Sequence, residues 1–254
     1  MSEYYTPKRE KNLYQPNSKE PFKLSRSKIE LYMNCPRCFY LDRRLGVGAP
    51  PSFPYTLNSA VDTLLKKEFD LLRKSQEKHP LVQKYGVDAL PAKVAQLEEW
   101  RNNFKGVQVL DKAHNLLIFG AIDDLWINSQ GEYLVVDYKS TSKNEEINTL
   151  DKTWQDGYKR QMEIYQWLLR GNGYKVSQTG YFVYCNGKTD LEKFNGKLEF
   201  VLTLIPYVGD DSWVNGTIAE IYQCLNSQNI PEPADDCDLC AYRQAVTDVS
   251  GKIN

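Results

Sequence analysis

The chain has 254 residues, 41% hydrophobic and 26% charged, with a formal net charge of −1. That length suits one α/β domain with a full core, or at most two small ones. No apolar run approaches the roughly 20 residues that cross a bilayer, so no membrane role is expected.

The near-neutral balance does not by itself advertise nucleic-acid binding. The distribution says more: Met1 to Arg44 holds ten Lys/Arg against five Asp/Glu. A basic segment of this kind can form a local phosphate-attracting face, or a solvated tail, which is the expectation for residues 1–20. The opening MSEYYTPKREKNLYQ is polar and has no apolar signal stretch, so the expected location is the cytoplasm.

Residues 1–22, with three prolines, read as a flexible arm. Ser25 or Ser27 can cap a first helix, and Ser27-Lys-Ile-Glu30 has capping-box spacing. Ile29, Tyr32 and Met33, then Phe39, Tyr40 and Leu41, fit a helix interrupted near Pro36. Gly46 to Pro54 is a Gly/Pro-rich loop. A second helix is expected over Leu57–Lys78, where Val61, Leu64, Leu65, Phe69 and Leu72 recur at three and four, and a third near Ala92–Asn103. The period then changes. Val107–Leu110, Leu116–Ile127 and Tyr133–Tyr138 read as strands, and Asn128-Ser-Gln-Gly131 as a hairpin turn. A long helix is expected over Trp154–Arg170, strands at Thr179–Tyr184 and Leu198–Leu204, and a final helix over Asp211–Leu225. This order suggests a mixed sheet flanked by helices.

The chemistry-bearing stretch is Gly120-Ala-Ile-Asp123-Asp124, followed by Leu134-Val-Val-Asp137-Tyr-Lys139. Residues two apart on a strand share a face, so Asp137 and Lys139 project together, and the hairpin can bring Asp123 beside them. Asp124 is expected on the opposite face. Two carboxylates on adjacent strands suit Mg²⁺ or Mn²⁺, and a nearby lysine can orient water or stabilise charge on phosphorus. Asp-x-Lys alone is most often a solvated strand end. The context adds an Asp on the preceding strand and Gln161-Met-Glu-Ile-Tyr165 on the following helix.

This ordered set resembles the PD-(D/E)XK nuclease superfamily in its RecB-like branch, which includes CRISPR-associated exonucleases and the AddB nuclease domain. The branch pattern runs Gly-x-x-Asp, then (Asp/Glu)-x-Lys, then Gln-x-x-x-Tyr. The resemblance spans Ser25 to Arg243. It implies a restriction-endonuclease-like mixed β-sheet core over residues 23–245, with 246–254 as a C-terminal tail. It further implies that Asp123 and Asp137 bind metal, that Lys139 is catalytic, and that Gln161 and Tyr165 contact DNA or brace the site. The branch usually carries a histidine ligand on the early helix. Asp62 stands there in this chain, as a substitute hard ligand or as a solvated helix charge. His79 and His114 read as surface or strand residues.

Cys35-Pro-Arg-Cys38 and Cys237-Asp-Leu-Cys240 form two Cys-x-x-Cys pairs, four thiols that can hold a metal or cluster and clasp the chain ends together. Several RecB-like nucleases carry a [4Fe–4S] cluster on one N-terminal and three C-terminal cysteines. The two-and-two distribution here leaves Zn²⁺ as the competitor. Cys185 and Cys224 read as ordinary buried residues, and Arg37, Arg43 and Arg44 as phosphate contacts or a solvated basic face.

The expected activity is that of a Mg²⁺/Mn²⁺-dependent DNA exonuclease in repair, recombination or CRISPR-type defence, acting on single strands or ends, with partner proteins of such a complex. The rivals are a DNA-binding module that has lost cleavage and a structural iron–sulfur or zinc protein.

Overall fold

The structure is a computed structural model and describes residues 5–251. The first residues of the expected arm and the last of the expected tail lie outside the described residues. In chain order the elements are β1 (Phe22–Ser25), α1 (Arg26–Asn34), α2 (Pro36–Arg43), α3 (Thr56–Ser75), α4 (Pro80–Lys84), β2 (Leu90–Pro91), α5 (Leu97–Trp100), β3 (Val107–Asp111) and β4 (Leu116–Gly120). There follow β5 (Asp124–Ile127), β6 (Tyr133–Thr141), a 3₁₀ turn (Thr153–Gln155), α6 (Asp156–Gly171), β7 (Thr179–Gly187), β8 (Phe200–Val208), α7 (Val214–Asn226) and α8 (Asp238–Ser250). The fold is mixed α/β, with sheets of order β1-β4-β3 and β2-β5-β6-β7-β8.

The chain divides into two compact units. The first takes the described parts of Met1–Phe53, Leu110–Ile118 and Ser212–Asn254. Its core forms where α1 and α2 pack on α7. Ile29, Phe39 and Tyr40 are buried there, as are Val214, Ile218, Ile221 and Leu225 of α7. The latter four recur at helical spacing and make one apolar stripe. Pro36 opens α2 at a position where its missing N–H costs nothing, which is why the helix breaks at Cys35. Asp42 accepts from Arg9 at 2.6 Å, Lys28 at 2.8 Å and Arg43 at 2.7 Å, so residues from the arm, α1 and α2 share one buried carboxylate.

The second unit comprises Pro54–Val109 and Phe119–Asp211 and contains the five-stranded sheet. Strand β6 pairs antiparallel with β5 (Asp124↔Val136) and parallel with β7 (Asp137↔Phe182), so the sheet is mixed. The two faces of β6 follow the period-2 pattern. Leu134, Val136 and Tyr138 join Leu65 and Phe69 of α3 in one apolar cluster with Trp126 and Val183. Asp137 and Lys139 point the other way, toward α6.

Four local expectations are corrected. Ser25 is the N-cap of α1 but makes no side-chain cap bond; its hydroxyl pairs with that of Ser27 at 3.0 Å instead. The helix expected over Ala92–Asn103 shrinks to α5, because the Ala92 N–H bonds to Leu125 and keeps that segment extended. The strand expected over Leu116–Ile127 breaks between Gly120 and Asp124, where the Ile122 N–H turns aside to the Trp100 carbonyl. His79 is buried: it caps α4 through Nδ1, stacks on Phe69 at 4.4 Å and meets Glu68 through Nε2 at 2.9 Å.

Candidate active site and cysteine cluster

Asp137 lies in the middle of the sheet and is fully buried. A buried carboxylate is costly unless charge and hydrogen bonds compensate it. Here Lys139 forms an ion pair with its Oδ2, and the Gln161 amide donates to its Oδ1 at 2.8 Å. The same amide nitrogen reaches the Tyr165 hydroxyl at 3.0 Å, while the Gln161 carbonyl accepts from Lys139 at 3.3 Å. Gln161 therefore touches every other member of the group. It can do so because residues four apart on α6 share a face. The Lys139 ammonium also sits 4.5 Å from the centroid of the Tyr158 ring, an aromatic face that favours a cation.

Asp123 stands just ahead of β5, and continuing the β5–β6 register places it opposite Asp137. Its Oδ2 accepts the Tyr138 N–H at 2.9 Å, one residue past Asp137. Its Oδ1 faces Lys66 of α3 at 3.6 Å, and Lys66 also pairs with Asp62 at 2.8 Å. One ammonium thus lies against two carboxylates that converge from different elements. Burial raises the pKa of Asp62, and the neighbouring negative charge of Asp123 adds to that, against the pull of Lys66.

Behind this group lies a support that the sequence did not reveal. Asp124 points to the α3 face and is fully buried. It pairs with Arg73, accepts from Arg101 at 3.1 Å and from the Tyr138 hydroxyl at 2.7 Å. Arg101 in turn donates to the Asp123 carbonyl at 3.0 Å and grips Asp70 at 2.9 Å. Burial alone would lower the Arg101 pKa, but the hydrogen bond to Asp70 and the negative charges of Asp124 and Asp70 outweigh it and raise the pKa further, while burial and the charge of Asp124 push the Tyr138 phenol well up. The strand break at Asp123 is thereby held by charge rather than by a sheet ladder. Arg73 and Arg101 lie 51 and 23 residues from Asp124 along the chain, too far for any local spacing to connect them.

Asp62, Asp123 and Asp137 are hard oxygen donors of the kind that suits Mg²⁺ or Mn²⁺; Asp62 and Asp123 face the Lys66 ammonium, and Asp137 faces that of Lys139. Among the described residues, the one group of three or more His, Cys, Asp or Glu ligand atoms within 4.8 Å of one another is Cys35, Cys38, Cys237 and Cys240. These belong to the first unit and can hold a metal. Cys35 is the N-cap of α2 and Cys237 the N-cap of α8.

Arg37 donates to the Pro231 carbonyl at 2.8 Å and meets Glu232 at 3.3 Å. Arg43 is buried on Asp42, and Arg44 donates to the Tyr14 carbonyl at 3.3 Å. Cys185 is buried and Cys224 half-buried.

A family model described as "PD-(D/E)XK nuclease superfamily" matches residues 23–245. A solved structure described as "Crystal structure of SSO0001" is similar at 17% identity and a TM-score of 0.37, over 85% of this chain and 82% of that one. The comparison with curated proteins gives no match.

Proposed function

The chain belongs to the PD-(D/E)XK nuclease superfamily, and on that premise we propose that it is a Mg²⁺- or Mn²⁺-dependent deoxyribonuclease centred on Asp123, Asp137 and Lys139. Asp62, Asp123 and Asp137 would hold the ion. When bound, a divalent ion polarises the phosphodiester and lowers the pKa of water. The protein's own residues do the positioning. The Tyr138 N–H and the Arg101 guanidinium fix Asp123 from its side chain and its carbonyl. Lys139 supplies a cation beside Asp137, where negative charge develops on a phosphoryl oxygen. Tyr158, under the ammonium, limits the directions that Lys139 can take.

The observation that carries this reading is the Gln161 side chain, which donates to Asp137 and accepts from Lys139. An acid and an amine locked by the same amide from another element are organised beyond what a solvated strand end requires. The order Gly120…Asp123, Asp137-Tyr-Lys139, Gln161…Tyr165 supports the RecB-like branch, and with it action at the ends of single-stranded DNA.

The test is cleavage of end-labelled linear and circular single-stranded DNA with Mn²⁺ or Mg²⁺. Wild type should degrade the linear substrate, and Asp137→Ala and Lys139→Ala should each lose activity by on the order of 10²-fold or more. Equal residual cleavage by wild type and both variants would remove the enzyme reading. Cleavage of circles would remove the end preference alone.

A further inference from the structure

We infer that Cys35, Cys38, Cys237 and Cys240 form a mononuclear tetrahedral site for a single Zn²⁺-class ion, a structural centre separate in chemistry from the carboxylate site. The Cys35 and Cys240 sulfurs are 3.9 Å apart, Cys38 and Cys237 3.7 Å, and Cys38 and Cys240 3.5 Å. All four lie within 4.8 Å of one another. A tetrahedral ion with sulfur ligands at about 2.3 Å sets its ligand atoms about 3.8 Å apart, since a tetrahedron's edge is about 1.6 times its centre-to-vertex length. A four-iron cubane gives each thiolate its own iron at a separate corner, and so spreads the sulfurs to roughly 6 Å. The observed separations leave room for one ion and not for a cube. They also far exceed a covalent S–S bond of about 2.05 Å, and all four cysteines are free.

The scaffold around the four sulfurs repeats itself. In each pair the first cysteine is the N-cap of a helix and the second stands at the third helical position. Residues at those two positions face each other across the first turn, so each helix offers two sulfurs to the same point. Helices α2 and α8 have eight and thirteen residues, and their positive N-terminal ends both bear on the sulfurs. The Cys38 N–H reaches the Cys35 sulfur at 3.5 Å, within range for a sulfur acceptor. Arg37, between the first two cysteines, grips Pro231 and Glu232 of the segment leading to the second pair, and so brings that segment to the first. Cys35 and Cys38 are buried and Cys237 and Cys240 half-buried, a closed environment with soft donors only. Four such donors with no oxygen or nitrogen ligand select a thiophilic ion and leave no open position for substrate, which marks the site as structural.

The experiment uses the full chain expressed with both iron and zinc supplied, purified without oxygen, and analysed for metal, acid-labile sulfide and intact mass. The expected result is one zinc per chain, no sulfide and no iron–sulfur colour. Exchange with Co²⁺ should give the visible bands of a tetrahedral tetrathiolate. Cys237→Ser should lower the zinc content severalfold, whereas Cys224→Ser, outside the group, should keep it. About four iron and four sulfide per chain would overturn the inference in favour of a cluster. A metal-free chain lighter by two hydrogens for each S–S bond would overturn it in favour of disulfides. These readouts are independent of DNA cleavage, so they stand or fall apart from the nuclease reading.

Discussion

Lys66 and Lys139 meet the carboxylates of the candidate site, and they differ in what they are bound to. Lys139 is held between Asp137, Gln161 and the Tyr158 ring, whereas Lys66 pairs with two carboxylates, Asp62 and Asp123. On the proposed reading Lys66 would compete with a metal for the same oxygens, whereas Lys139 is held by groups that are not carboxylates as well. Lys66→Gln should let Mn²⁺ half-saturate cleavage at a severalfold lower concentration with the turnover number nearly kept. Asp62→Asn should raise that concentration, and Lys139→Gln should cut the turnover number by on the order of 10²-fold. If Asp62→Asn leaves the metal requirement unchanged, Asp62 is a helix charge and not a ligand. At this scale the sequence was informative where spacing is local. Asp137 and Lys139 share a face by strand alternation, and Asp124 falls on the opposite one. The partners Arg73, Arg101 and Lys66 were not legible, because each meets its acid across tens of residues of chain or as one among many helix cations.

Helix α6 is the element that turns these residues into a group, and its seat depends on a close approach. A Cβ added at Gly120 would lie 2.7 Å from Cε1 of the Tyr165 ring, too near for either to keep its place. The glycine that opens the Gly-x-x-Asp pattern is thus a packing requirement of α6, not of the strand break that follows it. Gly120→Ala should push Tyr165 outward, loosen Gln161 from Asp137, and lower both stability, by about 1–3 kcal/mol, and the turnover number. Tyr165→Phe, which removes only the hydroxyl, should cost about 1 kcal/mol or less. Denaturant titration and steady-state cleavage measure both effects; a neutral Gly120→Ala would show that the ring has room to move. Elements such as α6 and the β5–β6 hairpin could be read from the sequence because they are long and periodic or carry turn chemistry. Strands β1 and β2 and helix α4, of four, two and five residues, are too short to display a period. Helix α5 ends early because Arg101, immediately after it, turns to Asp124 and Asp70. That is tertiary charge overriding local propensity.

On the scale of the whole chain, the unit built from its two ends depends on contacts that no window of sequence contains. Cys35 meets Cys240 across 205 positions, and Tyr14 meets Asn226 across 212. The first was foreseeable because cysteine pairs advertise a shared site, and the second was not. The same holds for Asp42, whose carboxylate draws Arg9, Lys28 and Arg43 together. Its side chain is only 5% exposed. Burial alone would raise its pKa, but the hydrogen bonds and charges of Arg43 and Lys28 outweigh burial and hold it below its ordinary 3.8. A carboxylate with a depressed folded-state pKa contributes stability that is fully present above its unfolded value and is lost as pH falls through the folded one. Asp42→Asn leaves three cations around a neutral amide and should cost about 3 kcal/mol at neutral pH. The gap between wild type and variant should stay constant down to about pH 5 and narrow below the ordinary carboxylate range, because acid then makes the wild-type group neutral as well. Paired denaturant titrations of the two proteins from pH 7 to pH 3 read this directly. A gap that does not change with pH would mean that Asp42 acts through shape and packing rather than through its charge.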